Sequence, residues 1–214
     1  MSKSIKVGVC QINPILGNFD YNYQKLLDNY NQAIDKGANL VIFPEMVVTG
    51  YPPQDLLFSK SFIKKNLEVL HNFSKKVSSP CIVGFIDEKD GKLFNSAAIC
   101  EKGKVVKVYN KILLPNYDVF DENRYFENGS EIGDFKINID GTDFTCVVQI
   151  CEDLWEDNYS RKLSEEIVTM SPDLIVNISA SPYHKNRKNI RKDLIVRNFG
   201  DANCPFVYCN LIGG

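Results

Sequence analysis

Histidine is nearly absent. The 214 residues hold only His71 and His184, far apart and without a cysteine or second histidine at ligand spacing, so a zinc site is not expected. The seven cysteines are odd in number and contain no C-x-x-C pair, which reads as a reduced cytoplasmic chain rather than a disulfide framework. No apolar run approaches the ~20 residues of a membrane span. The N-terminus has neither the apolar segment nor the small-residue cleavage site of a secretion signal. Neither sign of charge dominates: 25 Lys and Arg face 27 Asp and Glu, a net charge of −2, so no footprint for nucleic acid or an anionic membrane surface is present. No phosphate-binding G-x-x-x-x-G-K motif and no G-x-G-x-x-G occurs, so neither ATP nor a dinucleotide is expected to bind.

What is present is a globular composition, 44% hydrophobic and 24% charged, with 13 Phe and 10 Tyr to build a core. No repeat or linker interrupts the chain, so residues 1–214 are taken as one domain. The apolar period alternates between 2 and 3.6. Strands are expected at 5–9, 40–43, 81–86, 93–100, 105–109, 135–139, 144–150, 174–178 and 206–210. Helices are expected at 21–36, 59–77, 160–170 and 186–203. Lys102-Gly103 and Asp140-Gly141 read as hairpin turns. Strands alternating with helices but interrupted by hairpins predict an α/β fold with a mixed sheet, or two sheets, covered by helices on the outside. Residues 111–133 have no clear period and many turn formers, a length of irregular chain that is usually functional. Cys10, Cys81, Cys100 and Cys146 lie in apolar strand-like runs, where free cysteine serves as a small hydrophobe. The Gly213-Gly214 end, directly after a strand, reads as a turn with no next element and hence as a truncated chain.

Three chemically able groups follow strand ends, where ligands of α/β sheets collect. Glu45 follows strand 40–43 in Phe43-Pro44-Glu45. Lys111 follows strand 105–109 between two apolar stretches. Cys151 follows strand 144–150 in Gln149-Ile150-Cys151-Glu152-Asp153-Leu154-Trp155. A cysteine on a strand-to-helix turn is placed as a nucleophile, with the N–H groups after it available to an oxyanion. A helix N-terminus and a cation would depress its thiol pKa, making it the first cysteine to label. A carboxylate among apolar neighbours suits a general base. A lysine between apolar runs can hold an oxyanion. Each has a plainer alternative: a buried structural cysteine, a turn glutamate facing solvent, a solvated lysine.

Glu, Lys and Cys in this order and context resemble the triad of the nitrilase, or carbon–nitrogen hydrolase, superfamily. Segments 43–57, 114–126, 150–155 and 177–182 resemble more closely its branch of glutaminase domains from glutamine-dependent NAD⁺ synthetases. The likeness runs from Val7 to Gly214. It implies a four-layer α-β-β-α sandwich, here missing its last strands, and often paired into homo-oligomers through its helices. It implies that Cys151 attacks the side-chain amide of L-glutamine, that Glu45 moves the proton, and that Lys111 holds the oxyanion. Tyr51, Tyr117, Phe120, Glu152 and Ser179 would then line the substrate pocket, with Glu152 facing the α-amino group and Glu122 as a further acid. The plainer alternatives are packing aromatics, a helix-start glutamate, and a serine capping a turn. The ammonia would serve amidation of deamido-NAD⁺ by a synthetase domain of the same longer chain. ATP, Mg²⁺ and deamido-NAD⁺ are expected only in that missing domain, with no cofactor in this one. Two other outcomes remain open: a free-standing amidase acting on another small ω-amide, and a catalytically silent scaffold.

Overall fold

The computed structural model describes residues 4–213; Gly214, half of the Gly-Gly pair read as a turn, lies outside them. Among the described residues, nine strands form two mixed sheets. The first contains β1 (Val7–Val9), β2 (Leu40–Ile42), β3 (Cys81–Lys89), β4 (Lys92–Glu101) and β5 (Lys104–Asn110) in that order. The second contains β6 (Gly133–Ile139), β7 (Thr142–Ile150), β8 (Leu174–Ser179) and β9 (Phe206–Asn210). Strands β1, β2 and β3 are mutually parallel, and two antiparallel pairings bring β5 back to the same direction. In the second sheet β6 is antiparallel to β7, and β7, β8 and β9 are parallel.

Side-chain alternation assigns the layers. Leu40, Ile42, Ile82, Ala97 and Ile99 of the first sheet join a core shared with the second, whereas Val41, Phe43, Cys81, Val83 and Phe85 join the helix-side core. Helices α1 (Phe19–Asp35) and α2 (Lys60–Ser74) cover that outer face with Leu26, Tyr30, Leu70 and Phe73. On the second sheet, α3 (Leu163–Thr169) and α4 (Arg187–Phe199) contribute Leu163, Ile167, Leu194 and Phe199. The result is the expected four-layer α-β-β-α sandwich.

Local chemistry explains the element ends. The side chain of Asn18 caps α1 by accepting from the Tyr21 N–H at 3.2 Å, which starts the helix two residues ahead of the expected position. Asp90-Gly91, Lys102-Gly103 and Asp140-Gly141 have positive φ at both residues, the conformation that favours a tight hairpin. The first of these was not read as a turn from sequence, and it lets β3 and β4 run longer than expected. Among the described residues, no helix is long and apolar enough to cross a membrane.

Candidate active site

Strand direction brings the three candidate groups together. β2, β5 and β7 each end at the same edge of the sandwich, so Glu45, Lys111 and Cys151 converge there from two sheets. The turn carrying Glu45 packs tightly on β3. A Cβ added at Gly84 would lie 2.3 Å from the Pro44 carbonyl oxygen and 2.6 Å from the Glu45 Cα. Only glycine permits that approach.

Glu45 is buried, and its carboxylate accepts three hydrogen bonds. Lys111 Nζ donates to Oε1 at 3.0 Å, Asn95 Nδ2 donates to the same oxygen at 2.7 Å, and the Ala180 N–H donates to Oε2 at 2.7 Å. The Lys111 side chain is 0% exposed and also donates to both oxygens of Glu122 at 2.9 Å. Asn95 Nδ2 reaches Glu122 Oε2 as well, at 3.3 Å. Two buried carboxylates therefore share one ammonium. Burial works to discharge Lys111, but Glu122 and Glu45 outweigh it and hold its pKa well above the ordinary value. For Glu122 the balance runs the other way. Burial raises its carboxyl to about 7, with Lys111 pulling it down and Glu45 pushing it further up. One cation cannot neutralise two buried acids, so the second bears the cost of desolvation.

Cys151 sits at φ +44°, a conformation unfavourable for any residue with a Cβ, and is 6% exposed. Such strain at a strand tip is the geometry of a nucleophile elbow. Its Sγ lies 3.4 Å from Ser181 Oγ, which follows the Ala180 N–H bound to Glu45. The end of β8 thus holds both the acid and the thiol. Asn177 Nδ2 donates to the Cys151 carbonyl at 3.4 Å. The expected depression of the thiol pKa is overturned. Burial and the Glu45 charge raise it to about 12, against the opposing pull of Lys111 and the hydroxyls of Ser179 and Ser181. The turn after Cys151 is only a four-residue 3₁₀ segment, Cys151–Leu154, too short for the dipole of a full helix to compensate.

The remaining candidates surround this centre. The Tyr51 phenol is raised by burial and by Glu122 and Glu45, with smaller influences from Lys111 and Cys151, which places it beside the triad. Tyr51, Phe120 and Glu122 border a cavity of about 300 Å³. The rings of Tyr117 and Phe120 meet edge-on at 5.7 Å. The Tyr117 hydroxyl donates to both Glu152 oxygens at 2.9 and 3.0 Å, and the Tyr159 hydroxyl donates to one at 3.1 Å. Burial raises the Glu152 carboxyl, opposed first by the Tyr117 bond. Ser179 is fully buried behind Ser181, accepts from the Tyr208 hydroxyl at 2.7 Å and lies 3.0 Å from Ser181 Oγ.

Sequence reasoning missed Ser181, Asn95 and Arg187. The Arg187 guanidinium lies 4.4 Å from the Trp155 ring centroid and weakly opposes the rise that burial and Glu152 impose on the Tyr117 phenol, placing a cation near Glu152. Ser181 stands in the same Asn-Ile-Ser-Ala-Ser-Pro segment as Ser179, and strand alternation gave a signal for both. Among the described residues, no cluster of His, Cys, Asp or Glu is disposed to hold a metal ion.

This architecture has known counterparts. A carbon-nitrogen hydrolase family model matches residues 6–214. The chain is 38% identical to the glutamine-dependent NAD(+) synthetase of Thermotoga maritima over 99% of its own length, and 35% identical to that of Acinetobacter baylyi. It spans only 36% and 38% of those two proteins. The structure of the Acinetobacter baumannii synthetase in complex with ADP superposes with a TM-score of 0.89 at 34% identity, covering 99% of this chain and 39% of that one. A nitrilase-superfamily amidase from Nesterenkonia AN1 shares the fold, with a TM-score of 0.82 at 15% identity, over 98% of this chain and 77% of the amidase. With its matched sequence, its sandwich and its converging acid, amine and thiol, the chain belongs to the carbon-nitrogen hydrolase family.

Proposed function

We propose that the domain hydrolyses the side-chain amide of L-glutamine through a Cys151 thioester. The observation that carries this reading is the tethering of Glu45 and Cys151 to consecutive residues, Ala180 and Ser181, with Lys111 on the other side of Glu45. The resting thiol is neutral, so attack and proton transfer are coupled. As Sγ bonds to the amide carbon, its proton moves to Glu45. The oxygen of the tetrahedral intermediate is held by the Lys111 ammonium and the N–H following Cys151. Glu45 returns the proton to the leaving ammonia as the C–N bond breaks. It then takes one from the water that attacks the thioester and passes it to the Cys151 sulfur as the C–S bond breaks and glutamate departs.

Glu152, held by two tyrosine hydroxyls, is suited to the α-ammonium group, and Arg187 to the α-carboxylate. An anion and a cation near one another favour an amino acid over a simple amide, since the buried Glu152 charge would be left unpaired by a ligand lacking an ammonium group. In the longer relatives' terms, the ammonia would serve amidation of deamido-NAD⁺ by a synthetase part of the same polypeptide, where ATP, Mg²⁺ and the dinucleotide would bind.

The test is ammonia release from L-glutamine compared with other small ω-amides. Glutamine is expected to be preferred, and Cys151→Ala to abolish release while keeping the fold. A preference for an amide without α-substituents would instead favour a free-standing amidase, and no release from any amide would favour a scaffold.

A further inference from the structure

The triad needs two strand ends from different sheets held in register, and one buried side chain links them. Asp153 is 0% exposed and accepts four hydrogen bonds. Its Oδ1 accepts from the backbone N–H groups of Ile112 and Leu113, at 3.0 and 2.9 Å, directly after Lys111. Its Oδ2 accepts from the Tyr109 hydroxyl at 2.6 Å and from the Ile150 N–H at 2.8 Å, directly before Cys151. One oxygen is therefore committed chiefly to the Lys111 segment and the other to the root of the cysteine elbow. Each carboxylate lone pair has a donor, so none is left for a substrate.

We infer that Asp153 is the positioning residue that sets the Lys111 ammonium against the Cys151 sulfur. It rests on the hydrolase reading for its catalytic consequence, but not for its geometry. The side chain touches no reacting atom. It acts because the tip of β5 lies in one sheet and that of β7 in the other, with no ladder joining them. A carboxylate is needed rather than an amide. Asn at this position keeps one acceptor for Ile112 and Leu113 but turns an NH₂ toward the Ile150 N–H, setting donor against donor and releasing the elbow alone.

The test compares Asp153→Asn and Tyr109→Phe with the wild-type chain, using glutamine turnover and the rate of Cys151 alkylation by iodoacetamide at neutral pH. Asp153→Asn is expected to lower kcat roughly 30-fold, with KM held within about threefold and alkylation of Cys151 slowed about tenfold, the size of effect sub-ångström misalignment produces. Tyr109→Phe, which removes one donor from the same oxygen, should show the same pattern at smaller size and covers the case in which the asparagine variant does not fold. Alkylation at or above the wild-type rate in a folded variant, or a rise in KM as large as the loss of kcat, overturns the proposal. Alkylation needs no glutamine, so a wild-type chain that alkylates normally but releases no ammonia counts against the hydrolase reading and leaves Asp153 to be judged on alkylation alone.

Discussion

Glu122 is the residue whose ionisation the site controls most openly. Its carboxyl titrates near 7 in the folded chain, above the ordinary carboxylate value, chiefly because it is desolvated. The folded state therefore binds more protons than the unfolded state between those two values. This contribution to stability is complete below the unfolded pKa and is lost as pH rises through about 7. Thermal midpoints measured against pH should fall across this window in the wild type and fall less in Glu122→Gln. A wild-type curve with the same slope as the variant's would contradict the assignment. The neighbouring thiol follows the same logic. Cys151, with a pKa of about 12, should be largely protonated at rest, so its alkylation should keep accelerating above pH 9, without the plateau near neutrality expected of a preformed thiolate.

Elements act by placing these groups at one edge. The turn between β2 and the segment after Glu45 survives because β3 offers no side chain at Gly84. Gly84→Ala would drive a methyl group into the Pro44 carbonyl and the Glu45 backbone, both within 2.6 Å of the new atom. The backbone must retreat, carrying Glu45 away from Lys111 and Ala180. Turnover is expected to drop roughly 100-fold by misplacement, and stability by about 1–3 kcal/mol by overpacking. Ammonia release and urea unfolding measure the two losses separately. The irregular segment after β5 is held in the same manner, by backbone contacts. The Lys111 N–H donates to the Asn95 carbonyl at 2.8 Å and the Gly129 N–H donates to the Lys111 carbonyl at 2.7 Å. These bonds have no periodic signature, so Glu122 could be noticed in sequence but not placed beside Lys111.

Across the whole molecule, the helical layers supply stability at a distance from the chemistry. Phe73 of α2 meets the rings of Tyr30 and Phe43 edge-on, at centroid distances of 5.9 and 6.0 Å, and is fully buried. Phe73→Ala should cost about 3–5 kcal/mol of stability by opening a cavity in the outer layer. Below its lowered melting temperature, kcat should stay within about twofold of wild type, because the cavity lies on the face of the first sheet away from the second. Denaturant unfolding and turnover at 25 °C check both halves of this expectation.

Hydrophobic period, hairpin glycines and caps are local signals, and they carried the element order, the mixed sheets and the identity of Glu45, Lys111 and Cys151 as strand-end residues. Local signals end where the chain must choose a direction. That β2, β5 and β7 finish on one edge needs, besides the local hairpin reversals of the first sheet, the parallel pairing of β2 with β3 and the packing of one sheet on the other, through residues far apart in sequence. The same distance in sequence separates Asp153 from Ile112 and Ser181 from Cys151, so neither link has a sequence signature. The sign of the thiol shift also depends on the fold. A nearby lysine argues for a thiolate, but how far burial opposes it depends on water exclusion by the whole sandwich, a property no single segment of the chain possesses.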